Sequence, residues 1–108
     1  MNREFKFRSW QGKTMHYFDF YDIMNRGFDP TGYGVFDAVN MQYTGIKDKY
    51  GVEIYEGDIV DYGAFDLSVI KYEDGTYWAR LGQYPLNVVH RDIEVKGNIY
   101  ENLELLTQ

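Results

Sequence analysis

Four carboxylates, Glu53, Glu56, Asp58 and Asp61, crowd one short stretch of the chain. Such a cluster could hold a divalent cation. It could also supply a general acid and a general base if two members stood about 5 to 10 Å apart in a cleft, as in glycoside hydrolysis. The Glu56/Asp58 pair is the natural choice for a carboxylate- or metal-dependent hydrolase. The structural alternative is a turn in which Glu56 and Asp58 flank Gly57, Asp58 accepting from nearby amides and Glu56 remaining a solvated charge.

The other reactive side chains are sparse. His16 and His90 lie in different segments with no His-x-x-x-His spacing, which excludes a three-histidine metal site. His90 beside Asp92 could act as an oriented base, against the simpler reading of a surface histidine in a polar turn. Ser9 and Ser68 lack a Gly-x-Ser-x-Gly setting. Gly27, Gly32 and Gly34 lack the Lys-Ser or Lys-Thr that completes a phosphate loop. With no cysteine there is no disulfide, thiolate nucleophile or cysteine-bound zinc. No catalytic, metal-binding or cofactor-binding residue is assigned, no cofactor is expected, and the chain reads as a non-enzyme.

Charge and aromatic content speak to partners instead. The net charge of -6 disfavours general nucleic-acid binding, since an acidic body repels phosphate. The beginning of the chain is the exception: Arg3, Lys6, Arg8 and Lys13 outnumber Glu4, so a nucleic-acid binder acting through this strand is the second alternative. The chain also has eleven Tyr, seven Phe and two Trp, more than one small core accommodates. Tyr and Trp suit interfaces because each has an apolar body and a polar tip, whereas on a sheet they can equally be spent as cross-strand pairs. Arg3, Lys6, Arg8, Trp10, Tyr43 and Tyr55 form the candidate interaction surface.

The elements that would carry these residues are short strands. A chain of 108 residues makes one domain, 1–108, with one core. Residues 4–10 alternate, Phe5, Phe7 and Ser9 against Glu4, Lys6, Arg8 and Trp10, and a turn at Gln11-Gly12-Lys13 leads to a second strand over 14–20. Residues 19–25 fit a helical turn or a strand end, and the Gly- and Pro-rich stretch 26–34 reads as a loop. Further strands are expected over 35–44, 53–55, 59–62, 67–72, 76–81, 86–89 and 93–96. Asp74-Gly75 is a hairpin signal, because a type I′ turn needs positive φ. Asn102 can cap a terminal helical turn, with Leu105 and Leu106 docking inward. No apolar run is long enough for a membrane helix and no signal segment is visible, so a cytoplasmic protein is expected.

The run Met41-Gln42-Tyr43-Thr44-Gly45-Ile46-Lys47-Asp48 leads directly into Gly51-Val52-Glu53-Ile54-Tyr55-Glu56-Gly57-Asp58-Ile59-Val60. Together these resemble the central signature of YopX-family proteins. The opening Arg3-Glu4-Phe5-Lys6-Phe7-Arg8-Ser9-Trp10 is similar to the family's first strand, and Gly97-Asn98-Ile99-Tyr100-Glu101-Asn102-Leu103-Glu104-Leu105-Leu106 to its C-terminal cap. The departures are Ser9, where the family usually has Ala, and Leu103, where it usually has Pro; residues 19–36 match nothing quotable. The resemblance implies a mainly β domain, a small, partly open SH3-like β-barrel with added hairpin strands and a short C-terminal helical turn. It also implies a bacteriophage or prophage origin in a bacterial host, without an established activity. The expected role is an accessory protein that binds a protein partner or regulates. Self-association is expected through strand edges, the basic N-terminal strand being the edge chosen.

Overall fold

The computed structural model describes residues 5–19, 21, 39–63, 67–73, 75–79 and 84–107. Alternation in the first segments produces β1 (Lys6–Trp10) and β2 (Met15–Asp19), paired antiparallel with Trp10 opposite Met15 and Lys6 opposite Asp19. Gly12, at φ +87°, supports the reversal between them, and the Gln11 N–H donates to Thr14 O at 3.1 Å.

The other side of β1 pairs antiparallel with β3 (Val39–Lys47), which in turn pairs with β4 (Glu53–Tyr55), giving a sheet ordered β2-β1-β3-β4. The basic strand is therefore interior. This corrects the expectation that it offers a free edge: both of its ladders are occupied, so it cannot recruit a second copy by strand addition. β3 runs three residues past the expected end at Thr44 through an irregularity between Tyr43 and Lys47. There the Thr44 hydroxyl donates to Ile54 O at 2.8 Å and accepts the Ile46 N–H at 3.2 Å, replacing the missing ladder bonds. The part of the expected strand before Val39, and the stretch 22–36 with its loop, lie outside the described residues.

A second sheet is ordered β10-β5-β6, from β5 (Asp58–Asp61), β6 (Leu67–Val69) and β10 (Glu94–Asn98). A third is ordered β7-β8-β9, from β7 (Lys71–Glu73), β8 (Thr76–Ala79) and β9 (Tyr84–Pro85). The strand expected over 67–72 is divided at buried Ile70. Its N–H donates to Asp58 O and its carbonyl accepts the Gly57 N–H, both at 2.9 Å, before the chain turns to pair with β8. Gly75, at φ +81°, sits in the β7–β8 reversal as Asp-Gly chemistry requires.

Residues 86–89 do not extend a strand. They form one helical turn, Leu86–Val89, closed by the His90 N–H on Leu86 O and followed by a 3-10 turn, His90–Asp92. Short apolar runs are ambiguous by periodicity alone. Here the buried pair Leu86 and Val89 stands at helical i,i+3 spacing, and Pro85 precedes it where no backbone donor is needed. Both side chains join Ile54, Val60, Ile70, Tyr77 and Ile93 in the core. A final 3-10 turn, Leu103–Thr107, matches the expected terminal turn, but Leu106 is exposed and Asn102 turns its carboxamide back to accept the Asn98 N–H at 3.2 Å.

The domain is thus mainly β. Among the described residues its three sheets do not close edge to edge into a barrel. What joins them is the Glu56-Gly57-Asp58 crossover: Glu56 N–H donates to Gln42 O, Gly57 N–H to Ile70 O and Ile99 N–H to Gly57 O, at 2.9–3.1 Å. Gly57 is required there twice over. Its φ is +82°, and a Cβ would stand 3.2 Å from the Met41 sulfur.

Candidate functional site

Arg8 occupies the middle of β1, opposite Tyr17 on β2 and Met41 on β3. The sequence reading placed Arg8 on the candidate interaction surface; instead Arg8 is 3% exposed. A guanidinium can be buried only if paired and hydrogen-bonded. Its Nη2 stands 2.7 Å from Asp58 Oδ1 and donates to Glu56 O at 3.0 Å, and the group lies 4.8 Å from the centre of the Tyr55 ring. The other Asp58 oxygen accepts the Tyr55 N–H at 2.8 Å, which holds the turn between β4 and β5. Asp58 is therefore both the expected turn acceptor and half of a buried ion pair that ties β1 to β5.

The remaining carboxylates are engaged separately. Glu53 bonds Lys6 at 2.6 Å, and Asp61 accepts the Gly63 N–H at 2.8 Å. Glu56 is half-buried and accepts the Gln42 N–H at 2.8 Å, so it caps a ladder position on β3 and is not simply solvated. Among the described residues no three acidic or histidine side chains are placed to hold a metal ion. His90 Nδ1 lies 3.0 Å from Lys47 O; a carbonyl only accepts, so this nitrogen carries the proton.

Five of the six residues of the expected interaction surface are described, and they do not make one exposed face. Arg8, Tyr43 and Tyr55 are buried, Lys6 is half-buried on Glu53 and the Tyr43 ring, and Trp10 stacks on Tyr100 with ring centres 6.0 Å apart. Arg3 lies outside the described residues. Much of the aromatic surplus is consumed in cross-strand pairs: Phe7 on Phe18, Tyr43 on Tyr55 and Tyr72 on Tyr77 are each directly opposite in register, with ring centres 4.9–5.7 Å apart.

A cleft of about 380 Å³ opens beside the Arg8–Asp58 pair. One wall is the first sheet, with Tyr17, Glu53 and Tyr55; the other is β10 and the turn after it, with Gly97, Asn98 and Glu101. Asn98 shapes that second wall. Its side-chain oxygen accepts the N–H groups of Tyr100 and Glu101 at 3.0 and 2.9 Å, and its amide donates to Glu101 Oε1 at 2.9 Å. Gly97 admits the Asn102 side chain, whose Oδ1 would lie 2.3 Å from any Cβ there. Tyr17 stands edge-on to Tyr55 and is 60% exposed at the mouth. Sequence reasoning missed Asn98, Glu101 and Tyr17 as cleft residues, since nothing local in their neighbourhoods announces that β2 and β10 face each other.

Burial pushes the Tyr55 phenol up to about 12, with Glu53 adding to the effect, so it stays neutral. Burial also pushes Asp58 up to about 6, against the pull of Arg8 and the Tyr55 N–H. A carboxyl that binds its proton more tightly folded than unfolded makes its largest contribution to stability at low pH. That contribution is lost as pH rises from about 4 to about 6. The difference in unfolding free energy between the wild type and Asp58→Asn should therefore be more favourable to the wild type near pH 4 than near pH 7, by about 2 to 3 kcal/mol. Urea titrations of both proteins across this range, in which the other carboxylates cancel, check the sign; a difference that grows with pH would refute it.

These features define a mainly β domain with a buried ion pair beneath an aromatic-rimmed cleft. The family model of the YopX protein matches residues 20–107, and the chain belongs to the YopX family. It is also similar to a solved structure, the crystal structure of protein EF1440 from Enterococcus faecalis, with a TM-score of 0.66 and 29% identity, covering 94% of this chain and 97% of that one. No curated protein matches the chain. No helix among the described residues is long and apolar enough to cross a membrane.

Proposed function

We propose that this chain is a non-enzymatic accessory module of phage or prophage origin, working in the cytoplasm of a bacterial host and binding a protein partner through the cleft beside Arg8 and Asp58. The SH3-like barrel relationship and any self-association belong to the same reading. One observation carries it: the carboxylates nearest the cleft are held in structural bonds, while its mouth keeps the exposed Tyr17 ring and Val52 side chain that binding uses. Asp58 holds a turn amide and a guanidinium, Glu56 a β3 amide and Glu53 a lysine. Tyr17 and Val52 stand open at 60% and 48% exposure.

Capture from phage-infected or induced cells tests the reading. Tagged wild-type protein should retain a discrete partner that is lost with Tyr17→Ala, a variant expected to keep its fold because the ring is mostly exposed. A hydrolytic activity abolished by Asp58→Asn in a still-folded protein would overturn it in favour of an enzyme. Retardation of nucleic acid at low salt that is lost with Lys6→Ala would overturn it in favour of a nucleic-acid binder.

A further inference from the structure

We propose that the cleft accepts a basic side chain, arginine or lysine, presented on an extended segment of the partner protein. This deepens the protein-binding reading and rests on it. Three independent features of the cleft converge on that chemistry.

The first is charge. Arg8 and Asp58 cancel at 2.7 Å, which leaves Glu53 on one wall and Glu101 on the other, within a chain of net charge -6. The Lys6 contact offsets Glu53 in part, and Glu101 is exposed and, among the described residues, its carboxylate is held only by the neutral Asn98 amide. An anion entering here meets two carboxylates, whereas a cation is attracted by both.

The second is the rim. Tyr17 and Val52 give the cleft an apolar entrance that suits the methylene stem of a long cationic side chain.

The third is an unmet donor. The Arg8 Nε–H is buried and has no acceptor among the described residues, although Arg8 lines the cleft. Buried donors without partners are rare and costly in native proteins. A peptide carbonyl meets this need where a second cation or a hydrocarbon does not, once the guanidinium turns its buried Nε toward the cleft. A basic residue within a peptide backbone supplies the cation, the stem and the carbonyl together.

The test uses the full chain, labelled with ¹⁵N, and a blocked arginine oligopeptide as probe, with a blocked glutamate oligopeptide of equal length as comparison. The arginine peptide should give saturable shifts at Tyr55, Gly97, Asn98 and Glu101 and move the Arg8 Nε–H resonance. Glu101→Gln should weaken binding about fivefold, the worth of roughly one charge pair, while Glu73→Gln on the exposed β7 strand should not. Shifts scattered over the acidic surface and insensitive to Glu101→Gln would overturn the inference as non-specific attraction. Cleft shifts with the glutamate peptide alone would overturn the basic-ligand assignment and leave the protein-binding reading standing. No cleft response to either peptide, together with loss of no partner in the Tyr17→Ala capture, would remove both.

Discussion

Asp48→Ala is expected to lower the unfolding free energy by about 3 kcal/mol and the melting temperature by about 12 to 24 °C. The buried Asp48 carboxylate accepts three backbone N–H groups: Tyr50 and Val52 on one oxygen, at 2.8 and 2.9 Å, and Val95 on the other at 2.9 Å. The first two close the turn between β3 and β4, and the third clamps β10, which belongs to a different sheet. Charge-assisted bonds of this kind contribute about 1.5 to 3 kcal/mol each, but Tyr50 and Val52 are exposed enough for water to replace part of their share. Asp48→Asn separates the contributions. Its oxygen can keep the turn, but its amide then faces the Val95 N–H donor to donor, so about half the loss should remain, with faster hydrogen exchange at Val95. A loss below about 1 kcal/mol in the alanine variant, measured by urea unfolding, would show that the turn and the clamp stand without this side chain.

The contrast between Asp48 and Asp58 shows what the sequence makes legible. Asp48-Lys49-Tyr50-Gly51 has Asp first and Gly fourth, the pattern of a tight turn, and the turn was readable; the bond to Val95, across almost half the chain, was not. Asp58 was readable as a turn acceptor because its Tyr55 amide is local, whereas its Arg8 partner sits fifty residues away. Alternation identified β1 and β2 and even separated Arg8 from Phe7 by face. Alternation cannot say which face a second layer will cover, and here both are covered in part, Arg8 on one face and Ser9 on the other being equally buried. The same limit misplaced the free edge. Pairing of β1 with β3 joins segments separated by some thirty residues, so the basic strand looked terminal in sequence while being central in space. The helical turn Leu86–Val89 was misread for a different reason: four residues, three of them apolar, are too few for periodicity, and Pro85 was the stronger signal. The cleft combines all these long-range pairings, and so it was the least visible feature.

The Arg8–Asp58 pair should respond asymmetrically to the loss of its two members, because only one can discharge itself. Asp58→Leu leaves a guanidinium in a site 3% exposed, and arginine cannot shed its proton, so the loss should reach about 3 to 5 kcal/mol. Arg8→Met leaves a carboxyl already pushed up to about 6 by burial, and removing the cation that holds it down raises it further. Asp58 then takes up a proton and remains as a neutral acid accepting the Tyr55 N–H, which limits the loss near pH 7 to about 2 kcal/mol and reduces it near pH 5. The double variant Arg8→Met/Asp58→Leu should lie much closer to the wild type than the sum of the singles, since a buried pair replaced by apolar side chains of similar volume is often neutral. If it does, the pair contributes correct docking of β1 against β5 more than net stability, and its test is the cleft: the double variant should fold yet lose the binding expected of the wild type. Urea unfolding of all four proteins at both pH values measures the cycle. Equal losses for the two single variants, unchanged by pH, would show that Asp58 does not take up the proton and that the pair acts as a simple fixed-charge bridge.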